Sequence, residues 1–246
     1  MSMGIATTTT TATAIIMAET PADPAALYRL QSWLSPAYPV GAFTYSHGME
    51  WAVETGDVGD RAGLHAWIGD VLTAGAGHND AILLAAAWRA ARTQDRVAIE
   101  EIAALARALA PSEERLLEAT AEGQAFRRAT EHAWPAPELG LLSDIAEPVP
   151  YPVAVGVAAA GHGIPLRIAL HAFLHALIAN LVSAGVRLVP LGQSDGLAVE
   201  AGLERDVAAT AEAAEAATLA DLGGACLLAD IASMKHETQH TRLFRS

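Results

Sequence analysis

"IALHAFLHALIANLVSAGV", residues 168–186, carries no formal charge and matches the roughly 20 residues that a helix needs to cross a bilayer. It also holds His171, His175, Asn180 and Ser183, and no aromatic belt flanks it. Such polar groups suit a helix enclosed by other helices, where partners lie within reach, better than one facing lipid. Leu166, Leu170, Phe173, Leu174, Leu177 and Leu181 form its main apolar stripe, with Ile168, Ile178 and Val182 around the side. A helix apolar on most sides belongs in a core or an interface. The expectation is therefore a buried helix of a helical protein, with no membrane.

Working outward, Pro165 starts this helix and "VPLGQSDG" interrupts it. Before it stands "VAVGVAAAGHG", whose Gly and Ala faces let a neighbouring helix approach closely. After it, Leu197 to about Met234 reads as helical, with breaks near Gly202 and Gly223-Gly224. Toward the N-terminus, Asp23-Pro24 caps "AALYRLQSWL", and "SPAYPVGAF" ends that helix. "SHGMEWAVETG" is a short helix closed by Gly56, and Asp60 caps "RAGLHAWIGDVLTAG". Residues 78–92, 95–110 and 112–132 give three more helices, and residues 134–153 read as loop or turn between two halves of the chain.

Composition agrees. The 246 residues are rich in alanine, sparse in Phe and Tyr, and show no sustained strand alternation. The expected fold is all-α, a single globular helical-bundle domain of about eight to ten helices. Residues 1–22 are expected to form a disordered Thr-rich extension, with Met17 a candidate true start; residues 23–234 form the helical domain and residues 235–246 a tail. The first basic residue is Arg29, so the N-terminus lacks the positive start of a secretory signal. A formal net charge of −13 argues against nucleic acid as a partner. Cys226 is the only cysteine, which fits a reducing cytoplasm.

One motif suggests chemistry. His236-Glu237-Thr238-Gln239-His240 is a literal H-E-x-x-H, the spacing that places two zinc ligands and a general base on one helix face. A catalytic zinc usually takes a third protein ligand. Only "TRLFRS" follows, and it contains no His, Asp, Glu or Cys. His171 and His175 share an i, i+4 spacing without a local carboxylate and read as core or interface histidines. A P-loop requires Gly-Lys-Ser/Thr, but Met234 precedes the sole lysine, Lys235. No catalytic residue, metal site or cofactor is expected. What remains is a set of polar turns and the ending "RLFRS", an apolar anchor flanked by arginines that suits docking.

Three blocks carry a resemblance. "LYRLQSWLSPAYPVGAFTYSHGMEWAVETGDV", "NLVSAGVRLVPLGQSDG" and "IASMKHETQHTRLFRS" resemble, in order, the N-terminal, central and C-terminal signatures of the urease accessory protein UreF family. In the family ending the position of His240 is commonly Tyr, so the zinc motif reads as a coincidence of one substitution. The resemblance implies an all-α, dimeric, non-enzymatic protein that bridges UreD (also called UreH) and the GTPase UreG, and through them apo-urease, during nickel insertion. It also implies a tail that becomes ordered on UreD, with Tyr45 and Arg242 serving UreG recruitment. The residues expected to contact partners are Tyr45, Ser46 and Glu50 in the first block. In the second they are Arg187, Gln193 and Asp195; in the third, His236, Glu237, Arg242, Leu243, Phe244 and Arg245. The competing readings are a GTPase-activating or GTPase-regulating protein for UreG, and a zinc hydrolase using residues 236–240. A homodimer through helices of the second half is expected, and the tail is expected to be mobile in the free protein, because ordering entropy and contact energy nearly balance.

Overall fold

The structure is a computed structural model and describes residues 23–143 and 145–246. The expectations for residues 1–22, including a start at Met17, lie outside the described residues. Among the described residues there are eleven α-helices and no strand, with three short 3-10 turns between them.

Local chemistry sets the helix starts. The Asp23 carboxylate accepts from Ala25 N–H at 3.0 Å and Pro24 occupies the first turn of α1 (Pro24–Trp33). Asp60 caps α3 (Arg61–Ala74), Asp95 caps α5 (Arg96–Ala108) and Ser112 caps α6 (Glu113–Ala133). Gly56, at φ 85°, closes α2 (Met49–Thr55) in the left-handed region. Helix α4 (Ala76–Arg92) begins at once after Gly75.

Helix α4 lies at the centre, buried along Ala81, Ile82, Leu83, Leu84, Ala85 and Ala87. It packs most extensively against α7 (Tyr151–Gly161), so the two halves of the sequence share one core. The expected close approach is present: a Cβ on Gly156 would lie 2.5 Å from Leu84 O. Helix α7 starts inside the segment expected to be loop, because Pro152 sits in the first turn, where no N–H is used. Helix α8 (Leu166–Leu188) is long and apolar enough to cross a membrane, but half of that window is buried within the protein. Its buried face holds Leu166, Leu170, Phe173, Leu174, Ile178, Leu181 and Val182, against α10 (Glu204–Ala216), α4 and α9 (Gln193–Gly202). Helix α9 starts four residues before the expected Leu197, since Gly192 ends the break and Gln193 can enter the helix.

One satellite packs beside this core. Helix α11 (Leu227–His236) rests on α2 and α6, and the chain beyond it folds back over both.

Candidate partner-docking site

The site is built on α6. Glu114, Glu118, Glu122, Phe126 and Thr130 recur every fourth residue and align along one side of the helix. From Glu118 to Thr130 that row is buried. Its acidic end faces α2, α11 and the end of the chain.

His236 is the meeting point. Its ring is fully buried; Nδ1 lies 2.6 Å from Glu114 Oε2 and Nε2 lies 3.3 Å from Glu50 Oε2. The same two carboxylates hold the tail. Glu50 Oε1 accepts from Leu243 N–H at 2.6 Å, and its Oε2 accepts from Phe244 N–H at 2.8 Å. Glu114 Oε1 accepts from the Arg242 guanidinium. Glu237 Oε1 accepts from Glu113 N–H at 2.7 Å, at the start of α6.

Further along, Arg245 N–H donates to Thr44 O at 2.8 Å, and Ser46 N–H donates to Ser246 O at 2.7 Å. The Ser246 hydroxyl donates to Glu118 Oε2 at 2.8 Å. Phe244 is 4% exposed and packs under the Arg187 guanidinium, 4.4 Å from the ring centroid. Arg187 also donates to Phe43 O and Ser183 O. The tail expected to be mobile is therefore packed on its own body. The expectation weighed Phe244 and the arginines but not the buried carboxylates that receive backbone N–H groups from residues far away in sequence.

Gly48 permits the approach of α11. Its φ is +76°, and a Cβ there would lie 2.5 Å from Ser233 N. His47 beside it also has positive φ, 55°, and its Nε2 reaches Glu118 Oε1 at 2.8 Å.

Electrostatics beneath the tail are uneven. Burial by itself would raise the Glu118 pKa; the Arg115 guanidinium and the His47 ring overcome this and hold it at about 2. Burial and the Glu118 charge push Glu122 well above the carboxylate range. Burial, aided by the Glu118 charge, raises Asp80 from 3.8 to about 7. Asp80 lines a cavity of about 290 Å³ with His47, Arg115 and Cys226. Asp80→Asn is expected to raise the thermal midpoint most at and above neutral pH, by less in mild acid, and to leave it nearly unchanged only below the ordinary carboxylate pKa of 3.8. The folded carboxyl keeps its proton up to about 7 while the unfolded one loses it near 3.8, so the penalty grows as pH rises through that window. Asn carries no such penalty. Melting curves across this range measure the gap, at about 2–4 °C per kcal/mol for a chain of this size.

The structure brings together Tyr45, Ser46, Glu50, Arg187, His236, Glu237, Arg242, Leu243, Phe244 and Arg245. Of these, Arg187, Arg242, Leu243 and Arg245 are exposed. Tyr45 is 4% exposed, and its hydroxyl bonds the Arg245 side chain, so it supports that arginine from below. Gln193 and Asp195 stand apart, on the first turn of α9, where Asp195 pairs with Arg61 at 3.4 Å. The zinc spacing is not realised as a helix face, because α11 ends at His236 and both ring nitrogens of that residue face carboxylates. His175 is a surface residue paired with Glu200 at 3.0 Å rather than a core histidine. Sequence reasoning missed His47, Glu114, Arg115, Glu118 and Ser246. The four-residue acidic spacing that runs into Phe126 was the signal available.

A UreF family model matches residues 58–204. The chain is similar to the urease accessory protein UreF of Rhodopseudomonas palustris strain HaA2, 53% identical over 223 residues, 90% of this chain and 94% of that protein. The protein of the same name from strain BisB5 is 52% identical over 238 residues, 96% of this chain and 97% of its own length. The one from Bradyrhizobium sp. strain BTAi1 is 52% identical over 229 residues, covering 93% and 95%.

Proposed function

The chain belongs to the UreF family of urease accessory proteins, and from that premise we propose that it is a non-enzymatic adaptor. It bridges UreD (UreH) and the GTPase UreG in the cytoplasm during assembly of the urease nickel centre. The observation that carries this reading is the folding of residues 242–246 onto Thr44, Ser46 and Glu50. That arrangement sets exposed Leu243 and Arg242, with Arg187 and Phe43 nearby, on one rigid surface. An apolar anchor among arginines suits a partner surface with an apolar pocket and acidic rim.

The working unit is proposed to be a homodimer. Leu227, Leu228, Ile231 and Met234 on α11 point outward and are exposed. The expected use of second-half helices is kept as part of this proposal: half of the apolar window of α8 is not buried within the protein, and α11 is exposed along these four residues.

The test is co-purification with UreD and UreG. Leu243→Asp is expected to cost about 2 kcal/mol or more in UreD capture, the loss typical of an interface anchor. Arg242→Ala is expected mainly to weaken UreG recruitment. Undiminished capture of both partners by the Leu243→Asp protein rejects the tail surface as the docking site. Single-turnover GTP hydrolysis by UreG, with and without this chain, tests the reading of a GTPase regulator.

A further inference from the structure

The short turn Ala42–Thr44 buries none of its own side chains, and Phe43 on it is 59% exposed. Its place is set instead through its backbone. Three successive carbonyls each take a donor from elsewhere in the chain. Ala42 O accepts from Asn180 Nδ2 at 3.0 Å, Phe43 O from Arg187 Nη2 at 3.0 Å, and Thr44 O from Arg245 N–H at 2.8 Å. Asn180 and Arg187 both stand on α8, two helical turns apart, and so share one side of it. The turn is thus a joint between the last part of α8 and the end of the chain.

Arg187 is the donor that touches all three parts. Its Nε donates to Ser183 O at 3.0 Å, which ties the side chain to its own helix, and Nη2 reaches the turn. The guanidinium also lies over the Phe244 ring. Neighbouring side chains on the tail face opposite ways: Phe244 is 4% exposed and Leu243 is 66% exposed. A residue that holds Phe244 inward therefore keeps Leu243 outward. A flat guanidinium with donors on several edges can make all of these contacts at once. An ammonium can meet a carbonyl or stand over a ring, and a thioether offers no donor.

We propose that Arg187 is a positioning residue for the docking surface. It holds Phe244 inward and the Phe43 carbonyl in place, so that Phe43 and Leu243 stand as two fixed apolar points for a protein surface with matching apolar pockets. Its effect on partner capture runs through those two residues rather than through a contact of its own. This inference rests on the docking reading above and names the residue that sets the geometry of that surface.

Hydrogen exchange in the free, full-length protein, followed by titration with UreD, tests it. Arg187→Met is expected to speed exchange at the Phe244 and Arg245 amides by about tenfold, the weight of one lost charge-assisted hydrogen bond, and to weaken UreD capture by a similar factor. Exchange at Leu84, in the middle of α4, is expected to keep its wild-type rate, because Arg187 lies on the surface. Arg187→Lys keeps the charge and a donor, and is expected to fall between wild type and Arg187→Met. Adding Arg187→Met to Leu243→Asp is expected to cost little further capture, since both act through one surface.

Wild-type exchange at both tail amides in Arg187→Met overturns the positioning role, whatever happens to capture. Faster exchange at Leu84 as well overturns it in favour of a general part in stability. Faster tail exchange with undiminished capture, while Leu243→Asp loses capture, overturns the link from Arg187 to docking and leaves the docking reading standing. Undiminished capture by Leu243→Asp rejects that reading, and this inference with it. If Arg187→Met does not fold, Arg187→Lys decides by the same criteria.

Discussion

Glu50→Ala is expected to release residues 242–246 from the body of the protein and to lower its stability by several kcal/mol, since each buried polar group left unpaired costs about 1–3 kcal/mol. Glu50 is 8% exposed and serves three groups at once: the Leu243 amide, the Phe244 amide and His236 Nε2. Alanine leaves two N–H donors and a ring nitrogen facing a shielded hole. Against a total stability of about 5–15 kcal/mol, such a loss is large. Glu50→Gln retains the shape and one acceptor oxygen, so a smaller loss is expected. Urea denaturation measures the stability change, and cleavage after Arg242 by a protease reports release of the tail. Wild-type stability in Glu50→Ala contradicts the network as described.

The second large effect is at Gly156. Helices α4 and α7 meet so closely there that a Cβ would lie 2.5 Å from Leu84 O and 3.2 Å from the Ala87 side chain. Overpacking a core usually costs about 1–3 kcal/mol, and more where backbone must yield rather than a flexible side chain. Gly156→Ala is expected at or above the upper end of that range. Gly156→Val is expected to give no cooperatively folded protein, because the two helices form the largest contact in the core. Calorimetry of the Ala variant and near-ultraviolet dichroism of the Val variant check these outcomes.

The elements that sequence revealed have strong local chemistry. Asp23 and Asp60 cap the helices expected of them, Asp95 and Ser112 cap helices expected to begin there, and the stripe of α8 is buried as its spacing implies. The Gly-Ala character of α7 indicated close packing, though not which helix would approach. The buried side of α6 was hidden for a physical reason. Apolar periodicity detects faces that water rejects, whereas Glu118 is buried through Arg115, His47 and the distant Ser246. The packing of the tail was hidden in the same way: its contacts are made with residues far away in sequence, and no local pattern records them. Gln193 and Asp195 were expected, with Arg187 of the same central block, to contact partners; they share the start of α9, apart from the tail, and Arg61 is the partner of Asp195.

The pairing of Ser46 with Ser246 also has a consequence in time. The two residues are 200 positions apart in sequence. A ribosome adding about 5–20 residues per second takes on the order of 10–40 s to pass from one to the other. Throughout that interval the emerging polypeptide carries Ser46 and Glu50 without the groups that later satisfy them. A product released early leaves Glu50 without these partners and lacks the Leu243 surface, so premature termination is expected to yield a protein that is less stable and lacks the proposed docking surface. Synthesis of residues 242–246 and closure over Ser46 and Glu50 are thereby recorded in the same few hydrogen bonds.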